Sequence, residues 1–173
     1  MTPKKGLGRM LARAKTFAAV LTEAAMNTYG GDLVSLAVFG SYARSTATPA
    51  SDIDVLVVAD RLPGSRRQRA DQFVTVEELT EAARRAIWGN LAEVTPALSP
   101  VVKTPGEVTA GSPLFLDMTE WCSVLVDEDA FLTRYLDDLR GRLAATGARR
   151  RQAKGGYYWD YKPGAKPLEV VEL

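Results

Sequence analysis

Val38-Phe39-Gly40-Ser41-Tyr42-Ala43-Arg44, followed by Ser51-Asp52-Ile53-Asp54-Val55-Leu56-Val57-Val58, decides how this chain is read. The order is an apolar strand, a Gly-Ser turn, a short basic segment, and a second apolar strand that opens with two alternating carboxylates. Side chains alternate faces along a strand, so Asp52 and Asp54 are expected on one face, with Ile53 and Val55 on the other, in a core. Two carboxylates on one rigid face suit a hard divalent cation, which takes oxygen ligands and commonly shares them with substrate phosphates. Glycine has no Cβ to obstruct an anion, so backbone N–H groups at Gly40-Ser41 can approach phosphate closely. Together these parts describe a site for Mg²⁺ and a nucleoside triphosphate. A strand with solvated leading aspartates would account for the carboxylates alone, but it does not require Gly-Ser at the end of the preceding strand.

The combination of Gly40-Ser41, Arg44 and Asp52-x-Asp54 resembles the signature of the nucleotidyltransferase superfamily that includes DNA polymerase beta. More narrowly it is similar to the minimal nucleotidyltransferases (MNT), whose motif is a Gly-Ser pair followed by Asp-x-Asp. The match is close over residues 38–58; beyond them it covers the order of elements more than motifs. The resemblance implies an α/β (α+β) fold, a small mixed β-sheet with helices packed on it. It also implies transfer of a nucleoside monophosphate, AMP from ATP, to a hydroxyl. Asp52 and Asp54 would then be ligands to a pair of Mg²⁺ ions, and Gly40 and Ser41 would hold the terminal phosphates. Arg44 would lie within reach of the same phosphates, unless it is a surface arginine on a short helix. Such families usually carry a third carboxylate on the next strand, which helps deprotonate the acceptor. Here that strand, residues 91–103, contains one acid, Glu93, which strand parity groups with Thr95, Ala97 and Ser99. Glu93 is the candidate third catalytic acid and Asp117 the outside candidate.

The rest of the composition narrows the chemistry. At 173 residues the chain is long enough for one domain with a proper core. It contains no histidine, which excludes a His general base, a Ser-His-Asp triad and every His-ligated zinc site. Carboxylates, hydroxyls, Lys, Arg and a hard metal remain. The formal net charge of +1 argues against binding nucleic acid over the whole surface. The single cysteine, Cys122, forms no intrachain disulfide and is expected as a small core residue rather than a nucleophile. Arg13 and Lys15 interrupt the only segment that faintly suggests a signal peptide, and no apolar run approaches membrane-spanning length. A cytoplasmic, soluble protein is expected.

Along the chain, Met10, Leu11, Ala14, Phe17, Ala18, Leu21 and Ala25 recur at helical spacing, which predicts a helix over residues 7–28 ended by Gly30-Gly31. Buried strands are expected over 33–39 and 53–58, a helix over 76–87, and an irregular edge strand over 91–103 interrupted by Pro96 and Pro100. Thr104 opens as a helix start, broken by Gly111 and Pro113. A short strand over 123–126 and a long amphipathic helix over 127–146 complete a nucleotidyltransferase domain of residues 1–148. Residues 149–173 differ: Arg149, Arg150, Arg151 and Lys154 precede Tyr157, Tyr158, Trp159 and Tyr161. Basic residues beside aromatics can bind nucleic acid, but one short patch favours packing of this tail onto the domain, or a border to the active-site cleft.

Three functions stay open. The first is a transferase that adenylylates a protein partner, which the MNT resemblance suggests to be a HEPN-type ribonuclease in a toxin–antitoxin pair. The second moves the nucleotide to a small molecule, in the manner of aminoglycoside nucleotidyltransferases. The third is a non-catalytic nucleotide-binding module that acts by binding a partner.

Overall fold

The computed structural model describes residues 3–89, 95–154 and 156–164, and in the first helix the side chains of Arg13 and of Lys15 onward. Glu93 lies outside the described residues, as do Asn90, residues 91–94 of the expected third strand and the side chains of Met10, Leu11 and Ala14. Helix α1 (Pro3–Tyr29) leads through a 3-10 turn, Gly30–Asp32, into β1 (Leu33–Phe39). A single helical turn, α2 (Gly40–Ala43), precedes β2 (Ile53–Ala59). Then follow α3 (Arg66–Trp88), β3 (Leu98–Lys103), α4 (Pro105–Thr109) and α5 (Leu114–Met118). Strand β4 (Ser123–Asp127), a 3-10 turn (Glu128–Ala130), α6 (Phe131–Thr146), and a hairpin of β5 (Arg149–Ala153) and β6 (Gly156–Asp160) complete the order.

Four strands form one mixed sheet in the order β3-β2-β1-β4. β1 runs antiparallel to β2 and to β4, and β2 runs parallel to β3. A parallel pair needs a long crossover, and α3 supplies it. The two central strands are near-continuous apolar runs because both of their faces are covered. Ile53, Val55 and Val57 pack with Phe17, Leu21, Phe73 and Val76 of α1 and α3. Leu56 and Val58, on the opposite face, pack with Val108, Phe115, Leu132 and Leu136 of α4 to α6. By strand alternation Asp54 belongs to this second face. The architecture is the α/β arrangement with a small mixed sheet that the sequence implied.

Departures from the expected boundaries have local causes. α3 begins ten residues before the expected 76, because Ser65 caps it by accepting from the Gln68 N–H at 3.2 Å. Its early turns bury only Phe73, too little to show in a periodicity. β3 begins at Leu98, beyond Pro96, and its place at the sheet edge accommodates Pro100. Thr104 does open a helix, through a capping box in which Thr104 and Glu107 each bond the other's backbone. α6 starts at Phe131 rather than 127, because the Asp127 carboxylate serves as its cap, accepting from the N–H groups of Leu132 at 2.8 Å and Thr133 at 3.0 Å. Within the expected tail, β5 and β6 form a hairpin, with Trp159 packed against the second core cluster. No helix among the described residues is long and apolar enough to cross a membrane.

Candidate active site

The turn after β1 is shaped by Gly40, whose φ of 68° lies in the left-handed region that favours glycine. It ends the strand and starts α2, whose first N–H groups have no acceptor within so short a helix. The Arg44 N–H bonds the Gly40 carbonyl at 3.0 Å, and the Thr46 N–H bonds that of Ser41 at 2.9 Å, so Ser41 to Arg44 are held as one compact turn. A second turn, closed by the Ser51 N–H on the Thr48 carbonyl at 3.0 Å and by the Thr48 N–H on Ser51 Oγ at 2.9 Å, delivers the chain to β2.

Phe39 pairs with Asp54 across β1 and β2, so the Gly40 turn and the carboxylates share one end of the sheet. A Cβ on Gly40 would fall 1.9 Å from Asp54 Oδ2, so the carboxylate packs against the bare glycine. Asp52 is exposed and sits just ahead of β2, whereas Asp54 is half-buried inside it. Burial pushes the Asp54 carboxyl above its ordinary value; a hydrogen bond with Ser99 lowers it, the charge of Asp52 raises it and that of Arg44 lowers it. The net upward shift marks a carboxylate whose ionised form would gain from a nearby cation.

Parallel pairing places Ser99 of β3 directly beside Asp54. The sequence pattern puts Ser99 on the face that carries Glu93, but not the contact itself, which depends on the β2–β3 register. Among the described residues no third acid, histidine or cysteine joins Asp52 and Asp54 in a metal-sized cluster. A pair of carboxylates fits Mg²⁺, which keeps waters and binds through one or two carboxylates plus substrate phosphates. Asp52 and Asp54 are the residues that can hold it.

Asp117, on α5, has a different setting from that of a free catalytic acid. It accepts hydrogen bonds from the Tyr157 hydroxyl and, at 2.9 Å, from the Trp159 indole N–H, both on β6. Its Oδ2 lies 3.9 Å from Arg44 Nη1. Arg150 stacks between Trp121 and Tyr157, at 4.3 and 4.2 Å from the ring centroids. The basic-aromatic tail is therefore built against Arg44's neighbour, and nothing in the sequence spacing signals that pairing. Cys122 is half-buried, and burial together with the Asp127 charge pushes its thiol up to about 12, which removes it as a thiolate nucleophile at neutral pH.

Residues 23–103, which contain the turn and both carboxylates, match the family model described as nucleotidyltransferase domain. A Methanocaldococcus jannaschii protein named as a candidate protein adenylyltransferase is 29% identical over 114 residues, 65% of this chain and 71% of that protein. Among solved structures, a toxin–antitoxin complex with AMP-PNP shares 16% identity over 73% of this chain and 90% of that one, with a TM-score of 0.46. A tri-AMPylated Shewanella oneidensis HEPN toxin in complex with its MNT antitoxin shares 14% identity over 77% and 92%, with a TM-score of 0.44.

Proposed function

The chain is a nucleotidyltransferase, with its nucleotidyltransferase domain at residues 23–103, and on that premise we propose that it moves AMP from ATP to a hydroxyl on a partner protein. The observation that carries this reading is the packing of Asp54 against Gly40, which joins the paired-carboxylate strand end to the Gly40-Ser41 turn. Asp52 and Asp54 would hold Mg²⁺, which when bound polarises the α-phosphate and offsets charge on the leaving pyrophosphate. The N–H groups of the Gly40-Ser41 turn and the Ser41 hydroxyl bind the terminal phosphates, and Arg44 adds a fork of donors to the same oxygens. In the transfer, the acceptor oxygen forms a bond to the α-phosphorus as the bond to pyrophosphate breaks, and the acceptor proton passes to a base. Glu93 is the proposed base on this chain.

The candidate protein adenylyltransferase of M. jannaschii supports a protein as acceptor. The MNT-like motif points further to a HEPN-type ribonuclease as that protein. A second reading has one specific observation in its favour. Ser99, not an acid, stands beside Asp54, which suits a module that binds nucleotide and a partner without turning over.

Transfer of label from α-labelled ATP in lysate of the native host separates the readings. A labelled protein band that needs Mg²⁺ and disappears with Asp54→Asn is the expected result. Label only in small molecules would replace the protein acceptor with a metabolite. ATP binding with no label anywhere would replace the enzyme with the binding module.

A further inference from the structure

We infer that the C-terminal hairpin is part of the nucleotide site: Tyr157 and Trp159 fix Asp117, and Asp117 orients Arg44 towards the phosphates. The inference rests on the reading above, in which Arg44 is a phosphate ligand, and deepens it by adding positioning residues more than seventy positions along the chain.

A surface carboxylate on a five-residue helix would ordinarily rotate freely, and Asp117 does not have that freedom. Trp159 Nε1 donates to Oδ1 and the Tyr157 hydroxyl donates to Oδ2, one donor on each oxygen, which fixes the plane of the carboxylate. A carboxylate retains lone pairs after two such bonds, and Oδ2 also lies 3.9 Å from Arg44 Nη1. That separation is long for a closed ion pair. It steers the guanidinium without consuming its donors, and the Arg44 side chain stays 27% exposed. A guanidinium carries five N–H donors in a planar fork, so one edge can face Asp117 while another faces phosphate oxygens. Arg44 also acts electrostatically on Asp54, which places its charge between the hairpin's anchor and the metal-ligand strand.

The hairpin in turn depends on these contacts. An isolated two-stranded hairpin is marginal in water, and among the described residues β5 and β6 pair only with each other. Trp159 packs against the second core cluster, and Arg150 lies against the Tyr157 ring as well as Trp121. The charges of Arg44 and Arg150 both act on the Tyr157 hydroxyl, which donates to Asp117, the carboxylate near Arg44. Docking of the hairpin and orientation of Arg44 are thus one arrangement rather than two.

The test is Mg²⁺-dependent binding of a non-hydrolysable ATP analogue to the full chain by calorimetry, with thermal melts alongside. Tyr157→Phe and Trp159→Phe each keep a ring and remove one donor to Asp117. Each is expected to weaken analogue binding about fivefold, the size of one lost hydrogen bond. In an Arg44→Ala background the same two substitutions are expected to change nothing further, because the residue they position is gone. Equal weakening in both backgrounds would show a merely structural hairpin and overturn the inference. So would unchanged binding in both variants while Arg44→Ala alone weakens it. Failure of the wild type to bind the analogue, or binding indifferent to Mg²⁺ and to Asp54→Asn, would instead remove the nucleotide-site reading on which the inference stands.

Discussion

Gly40 leaves no room for a side chain against Asp54: a Cβ at position 40 would lie 1.9 Å from Oδ2 and 2.8 Å from Cγ of that carboxyl. The backbone at Gly40 is also left-handed, with φ at 68°. Gly40→Ala therefore carries two penalties. The φ cost is about 1 kcal/mol of stability, and the steric one falls on the proposed metal ligand. Asp54 is expected to rotate away from the turn, so Mg²⁺-dependent transfer should fall by more than tenfold, well beyond what the lowered melting temperature explains. A mutant that melts earlier yet transfers AMP at the wild-type rate would show that Asp54 need not touch the turn.

Ser99 stands beside Asp54 in the parallel register, and its hydroxyl acts to lower that carboxyl. Groups that orient a metal's carboxylate ligand commonly contribute about tenfold in metal affinity. Ser99→Ala should accordingly raise the Mg²⁺ concentration for half-maximal transfer by about tenfold, with near-normal rate at saturating metal. Titrating the rate with Mg²⁺ checks this. An unshifted midpoint would mean that packing against Gly40 alone orients Asp54.

Residues 33–59 were legible from the sequence because two signals coincide there. The strands are apolar enough to be buried on both faces, and glycine, serine and aspartate stand where the chain must turn and carry charge. β1 spans the residues expected, and β2 extends one residue past the expected end. The sequence marks Asp117 only as the outside candidate for a third catalytic acid. Its significance comes from Tyr157, Trp159 and Arg44, which lie 40, 42 and 73 residues away, so no local periodicity could join them. The start of α6 was misplaced for a related reason. Asp127 fits a helical pattern by composition, but its carboxylate is used as the cap of that helix and as the acceptor of Ser35.

Cys122 gives a chemical check on the site's boundaries. Burial and the neighbouring Asp127 charge push its thiol up to about 12. Only the thiolate reacts quickly, so at pH 8 about one molecule in ten thousand is in the reactive form. Iodoacetamide should label the native protein far more slowly than the denatured one, and Cys122→Ser should leave AMP transfer unchanged. Rapid native labelling with loss of transfer would bring Cys122 into the site.

Asp127 ties three elements together, and its contribution should depend on pH. Burial tends to raise its carboxyl, but the Thr133 hydroxyl, the Leu132 and Thr133 N–H groups and the Ser35 hydroxyl outweigh that, leaving it below its ordinary value. The helix has no capping side chain of its own, because Ala130 occupies the cap position. Ser35 is fully buried and finds in Asp127 Oδ1 an acceptor at 2.9 Å. Asp127→Ala removes a cap and strands that hydroxyl, at a cost of about 2 kcal/mol near neutral pH. A group with a depressed folded-state pKa stabilises fully above its unfolded value and loses that stabilisation as pH falls through the folded one. The stability gap between wild type and Asp127→Ala should therefore be constant at neutral pH and narrow below the unfolded aspartate value of about 3.9. The upward-shifted Asp54 titrates in both proteins and cancels from the difference. Urea melts of the two proteins at neutral and acid pH measure the gap; one that stays constant into acid would show that the Asp127 charge takes no part and that the cap acts as a neutral acceptor.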